Sequence, residues 1–181
     1  ALEENVLVRA DVIEEIPEAG LENFTDAIDK IMQRSDLNDL ARIVALVPNV
    51  QLSYYYETIK SLMINSPGIC KTMVPLIPQD QVHNFYETLK TIIKDNAYRS
   101  PDIIAAIPGD KIHEFREVIT EVMKKEPREV NKIIEAVDKK NDLSNYLEEI
   151  GKVMRNNAEI APKIIAAIVK ADKVKEFEQK I

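Results

Sequence analysis

The sequence predicts an all-α chain built as an α-solenoid of about six antiparallel helix pairs, with a period of 30 to 31 residues and the last pair truncated. Three observations carry this. A short apolar phrase recurs, an aromatic residue follows it in register, and helix-stop residues separate the two. The phrases are Val12 to Ile16, Ile43 to Val47, Met73 to Ile77, Ile103 to Ile107, Ile133 to Val137 and Ile164 to Ile168, whose last residues lie 31, 30, 30, 30 and 31 apart. A fixed period of this length marks repeats that bury apolar surface against their neighbours. The boundaries fall at 5–35, 36–65, 66–95, 96–125, 126–156 and 157–181, giving one repeat domain over 1–181.

The first helix of each pair is expected to span three turns and to end at its phrase. Its N-caps are expected at Asn5, Asp36, Ser66, Asn96, Glu126 and Asn157, with Pro67 and Pro127 at the first helical position. Pro17, Pro48, Pro78 and Pro108 then end it, because proline lacks an N–H and drives the residue before it out of the α region. Pro75, Pro101 and Pro162 fall inside these helices and predict kinked or shortened ones, with Ser100 as an alternative cap.

The second helix carries the aromatics Phe24, Tyr55, Phe85, Phe115, Tyr146 and Phe177. Around each aromatic, apolar residues stand at offsets of −3, +4, +7 and +8, as in Ile112, Phe115, Ile119, Val122 and Met123. At about 100° per residue these positions share one arc of a helix of roughly 13 to 15 residues. Its caps are expected at Asp80, Asp110, Asn141 or Asp142, and Asp172. The sixth aromatic helix stops at its +4 position, Ile181, which predicts a fragment of a longer array, with apolar surface at the C-terminal end available for end-to-end association.

Composition narrows function by exclusion. A formal charge of −7 disfavours general nucleic-acid binding, which draws its affinity from Lys and Arg. No apolar run reaches the roughly 18 to 20 residues of a membrane span. A single cysteine excludes an intramolecular disulfide and leaves the compartment open.

Catalysis finds little support, and no cofactor or metal is expected. His83 and His113 occupy equivalent, exposed positions of adjacent pairs, too far apart to share a zinc ion at about 2 Å each. Cys70 shares its column with Arg9, Leu40, Ser100, Val130 and Ala161, mostly small or apolar residues, and reads as packing. The run Asp138 to Asp142 lacks the ligand spacing of a calcium loop and reads as a turn. An enzyme is not expected.

Two outer columns remain. Asp26, Glu57, Glu87, Glu117 and Glu148 lie opposite the apolar arc and form a solvated acidic face, with Glu57–Lys60 and Glu87–Lys90 expected as ion pairs. One residue after each aromatic stand Thr25, Tyr56, Tyr86, Arg116, Leu147 and Glu178, a flank suited either to packing on the next pair or to lining a groove. Tyr and Arg are the residue types that anchor interfaces, so Tyr54, Tyr56, Tyr86 and Arg116 are the candidate partner-binding residues.

The architecture resembles the α-solenoids at large, such as tetratricopeptide and HEAT arrays. The tetratricopeptide motif has 34 residues with a set Trp, and this chain has no Trp. The chain is similar to mitochondrial terminator and TAL-effector DNA readers in using short helix pairs with variable interhelical residues. Here these are Glu18-Ala19, Asn49-Val50, Gln79-Asp80, Gly109-Asp110, Lys139-Lys140 and Lys170-Ala171. The expected function is a noncatalytic scaffold for a protein or peptide partner. The alternatives are a structural spacer and, with less support, repeat-based nucleic-acid binding.

Overall fold

A computed structural model describes residues 9–181, apart from the side chains of Arg9, Glu18 and Ala19. The expected cap Asn5, the place of Arg9 in the Cys70 column and the pair Glu18-Ala19 lie outside what it describes. Of the described residues 81% are helical and none is in a strand. The chain divides between Phe85 and Tyr86 into two compact units.

In the first unit, α1 (Arg9–Glu14) packs on α3 (Leu37–Leu46), and α2 (Thr25–Arg34) packs on α4 (Tyr56–Asn65). The short α5 (Cys70–Met73) and the 3-10 turn Val82–Phe85 complete it. In the second unit, α7 (Ser100–Ala106), α9 (Val130–Asp138) and α11 (Ala161–Lys170) pack in succession. So do α6 (Tyr86–Asp95), α8 (Arg116–Lys125), α10 (Leu147–Asn156) and α12 (Val174–Glu178). First helices therefore meet first helices and second helices meet second helices within each unit.

Burial follows the apolar register. Tyr55, Phe85, Phe115 and Tyr146 are fully buried, as are their +4 neighbours Ile59, Leu89, Ile119 and Ile150. Phe24 departs from its column and is 38% exposed. Two of the buried rings are met edge-on by a tyrosine 29 positions earlier, Phe85 by Tyr56 and Phe115 by Tyr86. Leu62 and Met154 are also only half-buried.

The helix starts correct the cap assignments. Asp36 caps α3, its Oδ1 accepting from the N–H groups of Asn38 and Asp39 at 2.9 Å. Ser66, Asn96, Glu126 and Asn157 occupy N-cap positions without a side-chain cap bond, because a 3-10 turn precedes the α-helix there. Asn96 and Asn157 instead turn back, their Nδ2 atoms donating to Ile92 O at 3.3 Å and Val153 O at 2.9 Å. Both bonds go to carbonyls in the last turn of the preceding helix, and Ile92 O also accepts the Asn96 N–H at 2.9 Å. Asp110 lies inside the 3-10 segment Gly109–Phe115, whose N-cap position is Pro108.

The 3-10 entry also accommodates the internal prolines. Pro101 and Pro162 fall in the first two positions of α7 and α11, where the missing N–H costs little. Pro75 sits in the 3-10 segment Val74–Leu76 and leaves α5 a single turn. Ser100 is the first residue of α7 rather than its cap, and its buried hydroxyl donates to Ala97 O at 2.6 Å.

Two kinds of exit end the first helices. Where Pro48, Pro78 and Pro108 follow the phrase, the residue before proline turns to the extended region, with ψ of 125°, 128° and 136° at Val47, Ile77 and Ile107. Where proline is missing, α9 and α11 run on to Asp138 and Lys170 and close through left-handed residues, Asn141 at φ 58° and Asp172 at φ 54°. The following N–H groups then reach back into the helix, Asp142 to Val137 O at 3.4 Å and Lys173 to Ile168 O at 3.1 Å. Asp172 is therefore a helix-closing residue, not a cap. At the Asn141–Asp142 step the first residue supplies the turn and the second takes the N-cap position of the next segment.

Candidate functional site

The four candidate partner residues fall into both units, Tyr54 and Tyr56 in the first, Tyr86 and Arg116 in the second. Tyr54 is 62% exposed and lies in the 3-10 turn Leu52–Tyr55 that enters α4. Tyr56, two residues on, is half-buried. Its ring meets Phe85 at 5.0 Å and 72°, and its hydroxyl donates to Gln81 Oε1 at 2.5 Å. Gln81 Nε2 in turn donates to Asn49 O at 2.9 Å, so one tyrosine ties α4 to the loops on both sides. Burial is the largest influence on this phenol and pushes its pKa up.

Tyr86 repeats the ring geometry in the second unit, at 5.1 Å and 70° to Phe115. Burial raises its pKa too. One pair later Arg116 takes the same column, is exposed, and reaches forward to donate from Nη2 to Asn145 O at 2.9 Å. Leu147 follows fully buried, and Glu178 ends the series exposed. Tyr56, Tyr86 and Arg116 thus engage the following pair, Thr25 donates instead to Glu22 O of its own pair at 2.9 Å, and Tyr54 has most of its side chain in solvent.

The acidic column is exposed throughout, at Asp26, Glu57, Glu87, Glu117 and Glu148. The expected ion pairs form, Lys60 Nζ to Glu57 at 2.8 Å and Lys90 Nζ to Glu87 at 2.9 Å. In the second unit the open side of α6, α8 and α10 holds two shallow depressions of mixed charge. One is lined by Lys90, Lys94, Glu114 and Glu121, the next by His113, Arg116, Thr120, Lys124 and Glu149. Lys94 to Glu121 at 3.0 Å and Lys124 to Glu149 at 3.1 Å bridge neighbouring second helices across them. Glu121, by hydrogen bond and by charge, raises the Lys94 pKa, while Lys152 and then Lys124 lower that of Glu149.

These bridges were not legible as columns. Lys94 and Lys124 share one position, nine after the aromatic, but Glu121 stands six and Glu149 three after theirs. Only the observed packing of the helices brings them together.

The remaining candidates fall where their residue types suggested. His83 and His113 are exposed, the latter 3.3 Å from Glu114. Cys70 is fully buried, and desolvation pushes its thiol pKa up to about 11, so the nucleophilic thiolate is suppressed at neutral pH. Among the described residues no three His, Cys, Asp or Glu side chains gather in a metal-binding arrangement, and no helix is long and apolar enough to cross a membrane. Comparison with protein-family models, with curated proteins and with solved structures gives no match.

Proposed function

We propose that the chain is a noncatalytic scaffold, its six helix pairs arranged as an α-solenoid, that binds a protein or an extended peptide on the face of its second helices. One observation carries this reading. The buried columns keep their apolar chemistry from pair to pair, while the column after the aromatic changes from Thr25 through Tyr56, Tyr86 and Arg116 to Leu147. A constant core beneath a changing edge is how a helical array displays a recognition surface. The exposed acidic column beside it suits a partner of basic character.

The test is an array of extended peptides graded in charge, probed with the full chain. Basic peptides containing apolar anchors are expected to bind, and Tyr54→Ser combined with Arg116→Ala to weaken them about tenfold or more, as loss of interface anchors does. Both side chains are exposed, so the fold should survive. Tyr56→Phe keeps the ring over Phe85 and should leave binding within about twofold. Binding that survives the double change places the surface elsewhere.

The engagement of Tyr56, Tyr86 and Arg116 with the following pair favours a second reading, a structural spacer. A spacer captures no peptide at any charge and gains stability in proportion to the number of pairs. Nucleic-acid binding would show instead as affinity for oligonucleotides that falls steeply with salt.

A further inference from the structure

The second helix pair turns apolar at three outward columns that are polar in the pairs after it. Val50 is 83% exposed, and the same position holds Ala19 in the first pair and Asp80, Asp110, Asn141 and Asp172 in the later ones. Tyr54, one place before the aromatic and also largely in solvent, stands in a column of Asn23, Asn84, Glu114, Asn145 and Glu176. Ile64, nine places after the aromatic, is 52% exposed in a column of Gln33, Lys94, Lys124 and Arg155. The exposure belongs to the columns, since Asp80, Asn84, Lys94, Asp110, Glu114 and Lys124 are exposed as well. Only the chemistry changes, and it changes on one helix. Single exposed apolar residues are ordinary on any protein, but three gathered on α4 and the turn that leads into it are not.

Spacing makes a stripe of them. Tyr54, Glu57, Ser61 and Ile64 follow at steps of three, four and three, the spacing of one helix side, and all four are exposed. The charge beside the stripe is acidic. Glu57 lies between Tyr54 and Ile64 and keeps 89% of its side chain in solvent, although Lys60 reaches it at 2.8 Å. The neighbouring α2, which packs on α4, adds the exposed Asp26. Residues 9–85 hold eleven acidic and six basic side chains, whereas residues 86–181 hold eighteen of each, so the field around α4 is negative. A ligand suited to this side is apolar in its anchors and positive in its flanks.

We propose that the outer side of α4, at Val50, Tyr54 and Ile64, is the docking surface for a basic amphipathic segment of a partner protein, whose apolar side chains cover these three residues while its Lys or Arg side chains face Glu57 and Asp26. The proposal rests on the reading that the second helices bind a basic partner, and it narrows that face to one helix of the first unit.

Fluorescence anisotropy with the full chain and labelled peptides tests it. An amphipathic Lys/Leu peptide is expected to bind, and Glu/Leu and Lys/Ser peptides to bind at least about tenfold more weakly. The central variant gives each position the residue that its column holds one pair later: Val50→Asp, Tyr54→Asn and Ile64→Lys together. The exchange adds one acidic and one basic side chain, so net charge stays the same. It should weaken the Lys/Leu peptide about tenfold or more, with the helical circular dichroism signal unchanged. Glu114→Ala with Lys124→Ala, on the outer side of the second unit, should leave binding within about twofold. Should the triple variant fail to fold, amide chemical shifts of the wild type report instead, and the peptide is expected to move residues 50–65 and not those of α8. Full-strength binding by the triple variant, or shifts confined to α8, overturns the proposal and leaves the wider peptide-binding reading standing. Equal binding of the Glu/Leu peptide overturns it too. A wild type that binds no basic peptide overturns both. A wild-type dimer that the triple exchange turns into monomers assigns the stripe to a second copy of the chain, and so overturns the proposal as well.

Discussion

The two units hold successive helix pairs together with different chemistry. In the first, the ties are an aromatic edge and hydrogen bonds from uncharged donors: Tyr56 on Phe85, its hydroxyl to Gln81, Gln81 to Asn49 O, and the Thr58 hydroxyl to the Asp29 carboxylate. Arg42 adds one charged tie, to Asp11 at 2.5 Å and Glu14 at 3.3 Å. The second unit opens with the same aromatic edge, Tyr86 on Phe115, and then changes over to charge. Arg116 reaches Asn145 O, Lys94 meets Glu121, Lys124 meets Glu149, and Lys170 meets Glu135 at 2.9 Å. One apolar frame thus tolerates either kind of outer fastening. The frame should set most of the stability and the fastenings should set its response to conditions.

The largest effect tests the shared frame. Phe85→Ala in the first unit and Phe115→Ala in the second should each cost about 3 to 5 kcal/mol, since both rings are fully buried. Phe24→Ala, at a partly exposed ring of the same column, should cost under about 1 kcal/mol. Denaturant titration of the three variants measures this. Equal costs at Phe24 and Phe115 would mean that the column is not graded by what covers it.

The fastenings come next. Tyr56→Phe keeps the ring contact and removes the hydroxyl bond to Gln81, for a loss of about 0.5 to 1.5 kcal/mol. Arg116→Met keeps the apolar stem over the next pair and removes one exposed bond to Asn145 O, for a loss nearer 0.5 kcal/mol. A larger loss at Arg116 than at Tyr56 would reverse the ranking of the two chemistries.

The exits of the first helices change along the chain as well: α7 in the second unit keeps the proline exit of the first unit, and α9 and α11 close through left-handed residues. Asn141 holds φ 58°, a left-handed conformation that glycine adopts freely and alanine does not. Asn141→Gly should therefore be close to neutral and Asn141→Ala should cost about 1 kcal/mol. In the first unit Pro48 does this work from the other side, by excluding the helix rather than by closing it. A melting temperature unchanged by Asn141→Ala would show that the turn after α9 is not what ends it.

These elements also mark what the sequence could yield. The period, the paired helices, the aromatic column and the outer acidic face were legible because each is a property of one position repeated, and burial imposes the same residue type at every repeat. Glu57–Lys60 and Glu87–Lys90 were legible because both partners lie on one helix turn. The caps were misjudged at Ser66, Asn96 and Asn157, because the same residue types satisfy the end of one helix or the start of the next, and a 3-10 entry removes the need for the latter. The left-handed turn at Asp172 was misread for the same reason: Asp suits a cap and a turn alike. The charge ties of the second unit were invisible, because their partners occupy different columns on different helices. Of the candidate site, the residue types of Tyr56, Tyr86 and Arg116 gave their column, but which of them points outward depends on the neighbour each one covers.

The smallest effect, and the one that separates the units most directly, is the response to acid. Glu135, Glu148, Glu149 and Glu176 all belong to the second unit, and all are held below the ordinary carboxylate value of 4.5. The causes are Lys170 for Glu135, Lys152 for Glu148, Lys152 with Lys124 for Glu149, and the Ser144 hydroxyl followed by Lys173 for Glu176. A folded-state pKa below the unfolded one adds stability that is complete above the unfolded value and is lost as pH falls through the folded value. The second unit should hold constant from neutral pH to about 5 and weaken progressively below about 4.5. Because these groups are exposed, salt should screen the same contribution at neutral pH. Amide opening free energies, corrected for intrinsic exchange, should fall more in α9 to α11 than in α3 and α4 between pH 5 and pH 3, and the gap should narrow in high salt. Parallel loss in both regions, or a gap indifferent to salt, would mean that the charge ties decorate the second unit without fastening it.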